Sequence, residues 1–177
     1  MPSPRVTTNE KVVAAAREVL ESAGPRGLTM QAVATRVGVR APSLYKRFSD
    51  RDALLTAVVA ATIEELTGRL QAASPDLTRL AAAYRAFAHE RPEAFRLVFT
   101  PYAQQDALQR SAAPVLRAAG DLVGEEDALA AARLFTAWAT GFLQMELAGA
   151  FRLGGDVDEA FRYGLERIRE GLGATRA

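Results

Sequence analysis

Residues Leu28–Leu55 read LTMQAVATRVGVRAPSLYKRFSDRDALL, and this stretch decides the fold. Its apolar residues recur with helical spacing in two short segments, which Gly38-Val39-Arg40 joins. Thr29 is a good N-cap for the first segment, and Gly38 suits the left-handed position after its last turn. The second segment opens at Pro42, because proline is favoured at the first helical position, and it ends near Ser49. Two short helices joined by such a turn predict a helix-turn-helix.

A longer helix is predicted on each side of this stretch. The upstream helix begins at a possible capping box of Thr7 and Glu10 and ends at Gly24-Pro25. The downstream helix takes Ser49 as its cap, with Asp52 three residues later. The first three helices therefore form a small N-terminal head. The upstream helix places its apolar residues on one face: Val12, Val13, Ala16, Val19, Leu20 and Ala23.

The remainder of the chain keeps a helical pattern, and no segment alternates with period two. The sequence therefore predicts an all-α fold. Pro114 lies inside one predicted helix, where we expect a kink or a break. The predicted helices lie near residues 75–90, 92–99, 104–119, 125–150 and 157–172.

Two C-terminal segments predict a subunit interface. Segment 125–150 has apolar residues around most of its circumference, so it must bury more than one face. Segment 157–172 has an apolar stripe with the small residues Ala160 and Gly164 beside it. Two such helices from each of two chains can form a four-helix dimer interface. The alternative is a monomer that buries both helices internally.

Composition excludes several classes of function. The chain has 177 residues, of which 49% are hydrophobic and 24% charged, as in an ordinary folded protein. It has no cysteine and one histidine, His89, which leaves no thiolate site and little for zinc or nucleophilic chemistry. No uncharged apolar run reaches the length of a membrane span, and the N-terminus lacks the apolar core of a signal peptide. We expect a cytoplasmic protein with no catalytic residues, metal or cofactor.

The charge is distributed unevenly along the chain. Residues 1–55 contain nine basic and five acidic side chains, whereas the rest of the chain contains 13 basic and 16 acidic ones. A basic head on a slightly acidic body is typical of a protein that binds nucleic acid. Chance variation in composition explains the difference equally well.

The residues of the helix-turn-helix resemble the DNA-binding domain of the TetR family of bacterial transcriptional regulators. The resemblance covers about residues 8–55 and implies a DNA-binding domain at 1–52 and a helical effector-binding and dimerisation domain at 53–177. Residues 87–95 and 138–141 are similar to the sensor domain of one subgroup, which usually has Trp-His-Gly where this chain has Trp138-Ala139-Thr140-Gly141. The matching motifs are Gly27-Leu28-Thr29, Val33-Ala34, Gly38-Val39, Leu44-Tyr45, Phe48 and Ser49–Leu55.

The resemblance implies roles for particular residues of the head. Thr29 and the adjacent helix N-terminus would bind phosphate, and Tyr45 would contact the DNA backbone. Lys46 and Arg51 would add neutralisation of phosphate. Arg40 is a departure from the family pattern, and it either reads a guanine or is simply solvated. The full set of predicted DNA-binding residues is Thr29, Gln31, Arg40, Ala41, Pro42, Ser43, Tyr45, Lys46, Arg47 and Arg51.

Aromatic and apolar residues of the second domain are candidates for an effector pocket. Each of them also suits ordinary core packing. Gln144 and Glu146 interrupt an apolar helix, so each needs a polar partner. The predicted ligand-binding residues are Tyr84, Phe87, Phe95, Phe99, Tyr102, Trp138, Phe142 and Met145.

These features predict a homodimeric, ligand-responsive transcriptional regulator. We expect it to be a repressor that a small, unidentified effector releases from a palindromic double-stranded operator. The alternative is a helical protein-interaction module with a vestigial DNA-binding head. An enzyme is not expected, because the sequence lacks a phosphate-binding glycine loop, clustered histidines and an HExxH motif.

Overall fold

The computed structural model describes residues 7–174, which form nine α-helices and no β-strand. The predicted all-α fold is confirmed. The helices are α1 (Asn9–Gly27), α2 (Met30–Val37), α3 (Ala41–Tyr45), α4 (Arg51–Ala73), α5 (Leu77–Glu90), α6 (Pro92–Leu97), α7 (Gln105–Val123), α8 (Ala128–Leu147) and α9 (Val157–Gly173).

The described chain divides into two compact units. The first contains the described residues up to Glu64 together with Arg91–Ala107, and the second contains Glu65–Glu90 and the described residues from Leu108 onward. The predicted domain boundary after Asp52 lies in the first turn of α4 and stays a prediction. The outer ends of the two predicted domains, residues 1–6 and 175–177, lie outside the described residues.

The first unit is built around the N-terminal helices. Three apolar side chains of α1, Val12, Ala16 and Leu20, are fully buried. Leu28 and Val33 are fully buried as well, at the entrance to α2 and within it. Helix α6 also packs on α1. The apolar face that the sequence assigns to the first helix is thus largely the face that enters the core, except that Ala23 is exposed.

Three local features of the head differ from the sequence prediction. The cap of α1 is Thr8, one residue after the predicted Thr7, and its hydroxyl accepts a hydrogen bond from the Lys11 N–H. The cap of α4 is Asp50 and not Ser49, because a carboxylate of Asp50 accepts the Ala53 N–H at 2.7 Å. Helix α3 ends at Tyr45 and is followed by a turn, earlier than predicted.

Two glycine and proline predictions have different outcomes. Gly24 interrupts α1 with φ 68° and ψ 179°, a conformation that favours glycine, so the predicted end at Gly24-Pro25 is a kink followed by one more turn. The break predicted at Pro114 is not found, because α7 continues on both sides of that residue. Proline lacks one helical hydrogen bond, but helical residues before and after it retain theirs.

In the second unit, α8 packs against both α5 and α9. Phe135, Ala139 and Leu143 lie on the buried face of α8. Phe161 and Leu165 are the buried residues of α9. Gly164 lies against the ring of Trp138, where a Cβ atom would come within 2.6 Å of Cζ2. A glycine at this position therefore lets the two helices approach closely.

Candidate functional site

The turn between α2 and α3 is fixed by backbone hydrogen bonds. The Thr29 hydroxyl accepts the Ala32 N–H at 3.1 Å and caps α2. At the other end of α2, Gly38 is left-handed, with φ 73° and ψ 34°. The Val39 N–H donates to the Ala34 carbonyl at 2.9 Å and the Gly38 N–H to the Thr35 carbonyl at 3.2 Å, so these two carbonyls near the end of α2 have partners. The predicted cap and the predicted turn glycine are both confirmed.

Helix α3 is held in the head by its apolar residues. Leu44 is fully buried and Phe48, just beyond the helix, is 8% exposed. The Phe48 N–H donates to the Leu44 carbonyl at 2.9 Å, which continues the turn that brings both side chains into the core. Tyr45, between them, is 54% exposed. The arrangement anchors one side of α3 and presents other side chains to solvent.

Most of the predicted DNA-binding residues lie at the surface of the first unit. Ala41 and Arg51 are half-buried. The Gln31 side chain donates a long hydrogen bond, 3.4 Å, to the hydroxyl of Thr35. The exposed members of the set are Thr29, Gln31, Arg40, Pro42, Ser43, Tyr45, Lys46 and Arg47.

Two of the predicted arginines already have partners within the head. Arg47 donates to the side-chain oxygen of Asn9 at 2.8 Å, which links the turn after α3 to the start of α1. Arg51 donates from Nε to the Leu28 carbonyl at 2.7 Å and from Nη2 to the Pro25 carbonyl. The guanidinium of Arg51 therefore connects the first turn of α4 to the segment that precedes α2.

The start of α4 is also organised by two carboxylates. The hydrogen bond from the Ala53 N–H, supported by the Ser49 hydroxyl, holds the pKa of Asp50 below its ordinary value. The Tyr102 hydroxyl donates to Asp52 at 3.0 Å, and this hydrogen bond raises the pKa of Tyr102. The segment that follows α6 is thus connected to the first turn of α4.

Sequence reasoning missed a contact between α1 and α6. The Glu21 carboxylate accepts the N–H groups of Glu93 at 3.1 Å and Ala94 at 3.0 Å. Arg91, at the N-cap position of α6, makes no side-chain cap, so Glu21 satisfies N–H groups that a helix start leaves without partners. The partners are backbone groups 72 and 73 residues away, and no motif in the sequence indicates them.

The predicted ligand-binding residues are divided between the two units. Phe95, Phe99 and Tyr102 lie in the first unit, where Phe95 is buried and Phe99 is 47% exposed. In the second unit, the Tyr84 hydroxyl lies 3.0 Å from that of Thr140, and burial raises the pKa of Tyr84 to about 12. The remaining members of the second unit are Phe87, which is buried, Trp138 and Phe142, which are half-buried, and Met145, which is 49% exposed.

Trp138 and Phe142 belong to an aromatic cluster between α8 and α9. The ring of Trp138 stacks on Phe161, with centroids 5.1 Å apart and planes 25° apart. Phe142 meets Phe161 edge-on at 5.2 Å and contacts Phe151 at 4.7 Å. These contacts are favourable packing geometries for aromatic rings, so both residues support the core of the second unit.

A groove of about 620 Å³ lies along α5, α8 and α9 in the second unit. Phe161 forms part of the wall of the groove, and the ring of Trp138 stacks on Phe161. None of the eight predicted ligand-binding residues is among those that line the groove. The lining residues are Thr78, Ala82, Arg85, Ala86, His89, Glu146, Asp158, Phe161, Arg162 and Leu165.

Charged side chains that line this groove form an ionic cluster. The cluster supplies the polar partners that the sequence analysis expects for Glu146. Arg85 donates from Nε to Glu146 at 3.1 Å and from Nη2 to Asp158 at 2.5 Å, and His89 lies 3.2 Å from Glu146. Burial alone would raise the pKa of Glu146, but the hydrogen bond and charge of Arg85, together with His89, lower it. Glu146 and Asp158 raise the pKa of Arg85. Gln144, the other predicted polar interruption, is exposed.

Neither a metal site nor a membrane-spanning helix is found among the described residues. Within residues 7–174, no group of three or more potential ligand side chains could hold a metal ion. Over the same range, no helix combines the length and the apolar character that crossing a membrane requires.

Comparison with known proteins gives matches over both parts of the chain. A model of bacterial regulatory proteins of the tetR family matches residues 12–58, and a model of the tetracyclin repressor-like C-terminal domain matches residues 77–168. The chain is 30% identical over 161 residues to the HTH-type transcriptional regulator Rv0681 of Mycobacterium tuberculosis, covering 82% of this chain and 73% of that protein.

Solved structures share the fold over nearly the whole chain. A protein of unknown function from Rhodococcus sp. RHA1 is similar with a TM-score of 0.81 at 25% identity, covering 98% of this chain and 99% of that one. A TetR variant from Acinetobacter baumannii AYE, in complex with minocycline, has a TM-score of 0.73 at 24% identity over 97% and 99% of the two chains. At that identity the second likeness shows the fold alone.

Proposed function

The chain belongs to the TetR family and is a transcriptional regulator with a DNA-binding helix-turn-helix, and from this premise we propose that it is a homodimeric repressor released from a palindromic operator by a small molecule. We also propose a cytoplasmic location, because a regulator of this kind acts on the chromosome.

The observation that carries the proposal is that α3 is anchored in the core on one side and exposed to solvent on the other. Leu44 and Phe48 hold the helix in the core, while Ser43, Tyr45 and Lys46 are exposed beside the fixed turn at Gly38. A recognition helix needs this combination, because it must enter the major groove as a rigid element. We propose that Arg40, Ala41, Pro42 and Ser43 approach base edges.

Residues around the recognition helix supply contacts to the DNA backbone. We propose that Thr29, Gln31, Tyr45 and Lys46, which are exposed, bind phosphates and fix the register on the duplex. Arg47 can join them by exchanging its contact with Asn9. Arg51 was predicted to neutralise phosphate, but its two carbonyl contacts favour a different role, which is to orient the start of α4 relative to α2.

Exposed apolar residues support the homodimer. Leu129, Leu134 and Met145 of α8 are each about half exposed, and Tyr163 of α9 is 65% exposed. Apolar side chains exposed at this level along two adjacent helices are typical of a subunit interface. We propose that α8 and α9 of two chains form a four-helix bundle, as the sequence predicted for segments 125–150 and 157–172.

For the effector we propose an apolar small molecule that acts on the second unit. The groove beside Phe161 offers space of the right order for such a ligand, and Trp138 and Phe142 stand behind its wall. The A. baumannii neighbour is in complex with minocycline, which shows that this fold accommodates a small molecule in that protein. The eight predicted ligand-binding residues stay predictions, and Tyr84, Trp138 and Phe142, which lie in the second unit, are the first to test.

Operator and effector are then coupled through the dimer. If the effector favours a conformation whose heads are wrongly spaced, it weakens DNA binding by some factor, and DNA weakens effector binding by the same factor. This reciprocity distinguishes a ligand-responsive repressor from a protein whose DNA binding and ligand binding are independent.

Sequencing of the genomic fragments that purified protein retains at near-physiological salt tests the proposal. We expect one or a few palindromic sites, lost in Tyr45→Ala, whose exposed side chain can be removed without disturbing the core. Glu64→Ala, an exposed change in α4, is the matched control and should retain the same sites. Binding that is salt-sensitive and indifferent to sequence, or no binding at all, would overturn the operator and favour a protein-interaction module with a vestigial head.

A further inference from the structure

One face of α8 is exposed along its whole length and is apolar or small at nearly every position. Leu134 is 52% exposed and Met145 is 49% exposed. The opposite face, with Phe135, Ala139 and Leu143, is buried. The spacing of the exposed residues places them on one side of the helix. They are Ala130, Leu134, Ala137, Gly141 and Met145 of α8 and Ala148 at its C-cap, with Arg133 and Gln144 along one edge.

The order of side-chain sizes on this face is the same from both ends. From the N-terminal end of the face to Ala137, the order is small, large, small. From Ala148 back to Gly141, the order is again small, large, small. Leu134 and Met145 lie at nearly equal distances on either side of Ala139. A two-fold axis pairs residue i with j and residue j with i, so a face with this symmetry is complementary to itself when the second helix runs in the opposite direction.

We propose that a second copy packs its α8 antiparallel on this face, with the two-fold axis level with Ala139. Leu134 then contacts the partner subunit's Met145, and Ala137 faces the partner subunit's Gly141. The inference rests on the proposed homodimer and adds its register. A Cβ built at Gly141 meets nothing within 4 Å, so the space in front of it is open to a second helix. Small residues at the centre allow the two helices to approach to about 8 Å.

The polar edge favours the same arrangement. Arg133 and Gln144 are exposed on one side of the stripe and are also placed symmetrically about its centre. In the antiparallel register, each Arg133 lies beside the partner subunit's Gln144, whose carbonyl can accept a hydrogen bond. In a parallel pair, by contrast, each Arg133 would lie level with the partner subunit's Arg133 and away from its Gln144, so this hydrogen bond could not form. The antiparallel register keeps the two arginines roughly 18 Å apart along the helix axis, from the helical rise alone.

The absence of cysteine from the sequence makes the register directly testable by cross-linking. We would prepare Leu134→Cys, Met145→Cys and the double variant, oxidise them mildly and run them on a non-reducing gel, with light scattering to give the oligomeric state. We expect the double variant to form a covalent dimer. Each single variant alone should not, because its two thiols would lie roughly 16 Å apart along the axis, far beyond disulfide reach. Co-expressed single variants should form the mixed covalent dimer.

The outcomes separate the register from the dimer itself. A non-covalent dimer of the double variant that does not cross-link, or cross-linking of a single variant by itself, overturns the register and leaves the proposed homodimer standing. A monomer for the unmodified protein overturns both. If the double variant is monomeric while the unmodified protein is a dimer, the exposed pair Ala130→Cys and Ala148→Cys decides, since these positions are symmetric about the same axis.

Discussion

Glu21 of α1 accepts the backbone N–H of Ala94, 3.0 Å away, at the start of α6. The same carboxylate accepts the N–H of Glu93, so it acts as the cap that α6 lacks within its own sequence. Helix α6 follows α5 after one residue, Arg91, and packs on α1. The Glu21 carboxylate therefore adds a hydrogen-bonded link to the packing of α6 on α1.

Replacing Glu21 by alanine should destabilise the protein by about 1 to 2 kcal/mol, the usual cost of losing a helix cap. The reason is that two N–H groups of α6 lose their acceptor while Ala94 and Phe95 stay buried. Urea unfolding measures the loss, and amide exchange at Ala94 should accelerate. Glu18→Ala is the matched control, because Glu18 pairs with Arg36 at the surface and such a pair contributes less than about 1 kcal/mol. Equal losses for the two variants would contradict the capping role.

Arg51→Ala should weaken operator binding without changing its dependence on salt. The Arg51 guanidinium contacts the Leu28 and Pro25 carbonyls, so its removal disturbs the orientation of α2 and not a phosphate contact. Lys46→Ala should instead lower the slope of log K against log salt by roughly one, as expected for a lost phosphate contact. Fluorescence anisotropy over a series of salt concentrations gives both slopes. A reduced slope for Arg51→Ala would restore the phosphate role predicted from the sequence.

Features of the head that depend only on residues adjacent in the sequence could be predicted. The Thr29 cap and the left-handed Gly38 follow from local rules of helix termination, and the structure has both. The choice between Ser49 and Asp50 as the cap of α4 could not be made, since either side chain can accept an N–H. Local rules therefore predict the type of capping residue at a helix end more reliably than its exact position in the sequence.

Contacts with distant backbone groups could not be predicted. Arg51 donates to backbone carbonyls, and Glu21 accepts from backbone N–H groups. Because nearly every residue type supplies such groups, the types of the partner residues do not reveal these contacts. The candidate effector residues show a related limit, because periodicity identifies an apolar face without saying whether it packs in a core or lines a cavity. Phe87 and Phe95, both fully buried, illustrate the first possibility.

Gly164→Ala should destabilise the second unit by about 1 to 3 kcal/mol, the range for overpacking a tight contact. The added Cβ would lie within 2.6 Å of Trp138, whose ring is already stacked on Phe161 and cannot move freely. Trp138 is the one tryptophan in the sequence, so its fluorescence reports the disturbance directly. Gly171→Ala, in the same helix with open space around it, is the control and should gain up to about 1 kcal/mol from helix propensity. If the two variants behaved alike, close packing at Gly164 would not be the cause.

Glu146→Gln should change how stability depends on pH. Arg85 and His89 lower the pKa of Glu146 below its ordinary value of 4.5, so its ionised form is favoured in the folded state. A lowered pKa contributes stability that is fully present above the ordinary value and is lost as the pH falls through the folded one. The difference in stability between the parent protein and Glu146→Gln should therefore be largest near neutral pH and shrink below about pH 4.5, because glutamine does not titrate. Urea unfolding between pH 7 and pH 3 measures this difference, with Glu64→Gln, an exposed glutamate in α4, as the control. A difference that stayed constant over that range would mean that the contact of Glu146 with Arg85 does not depend on its charge.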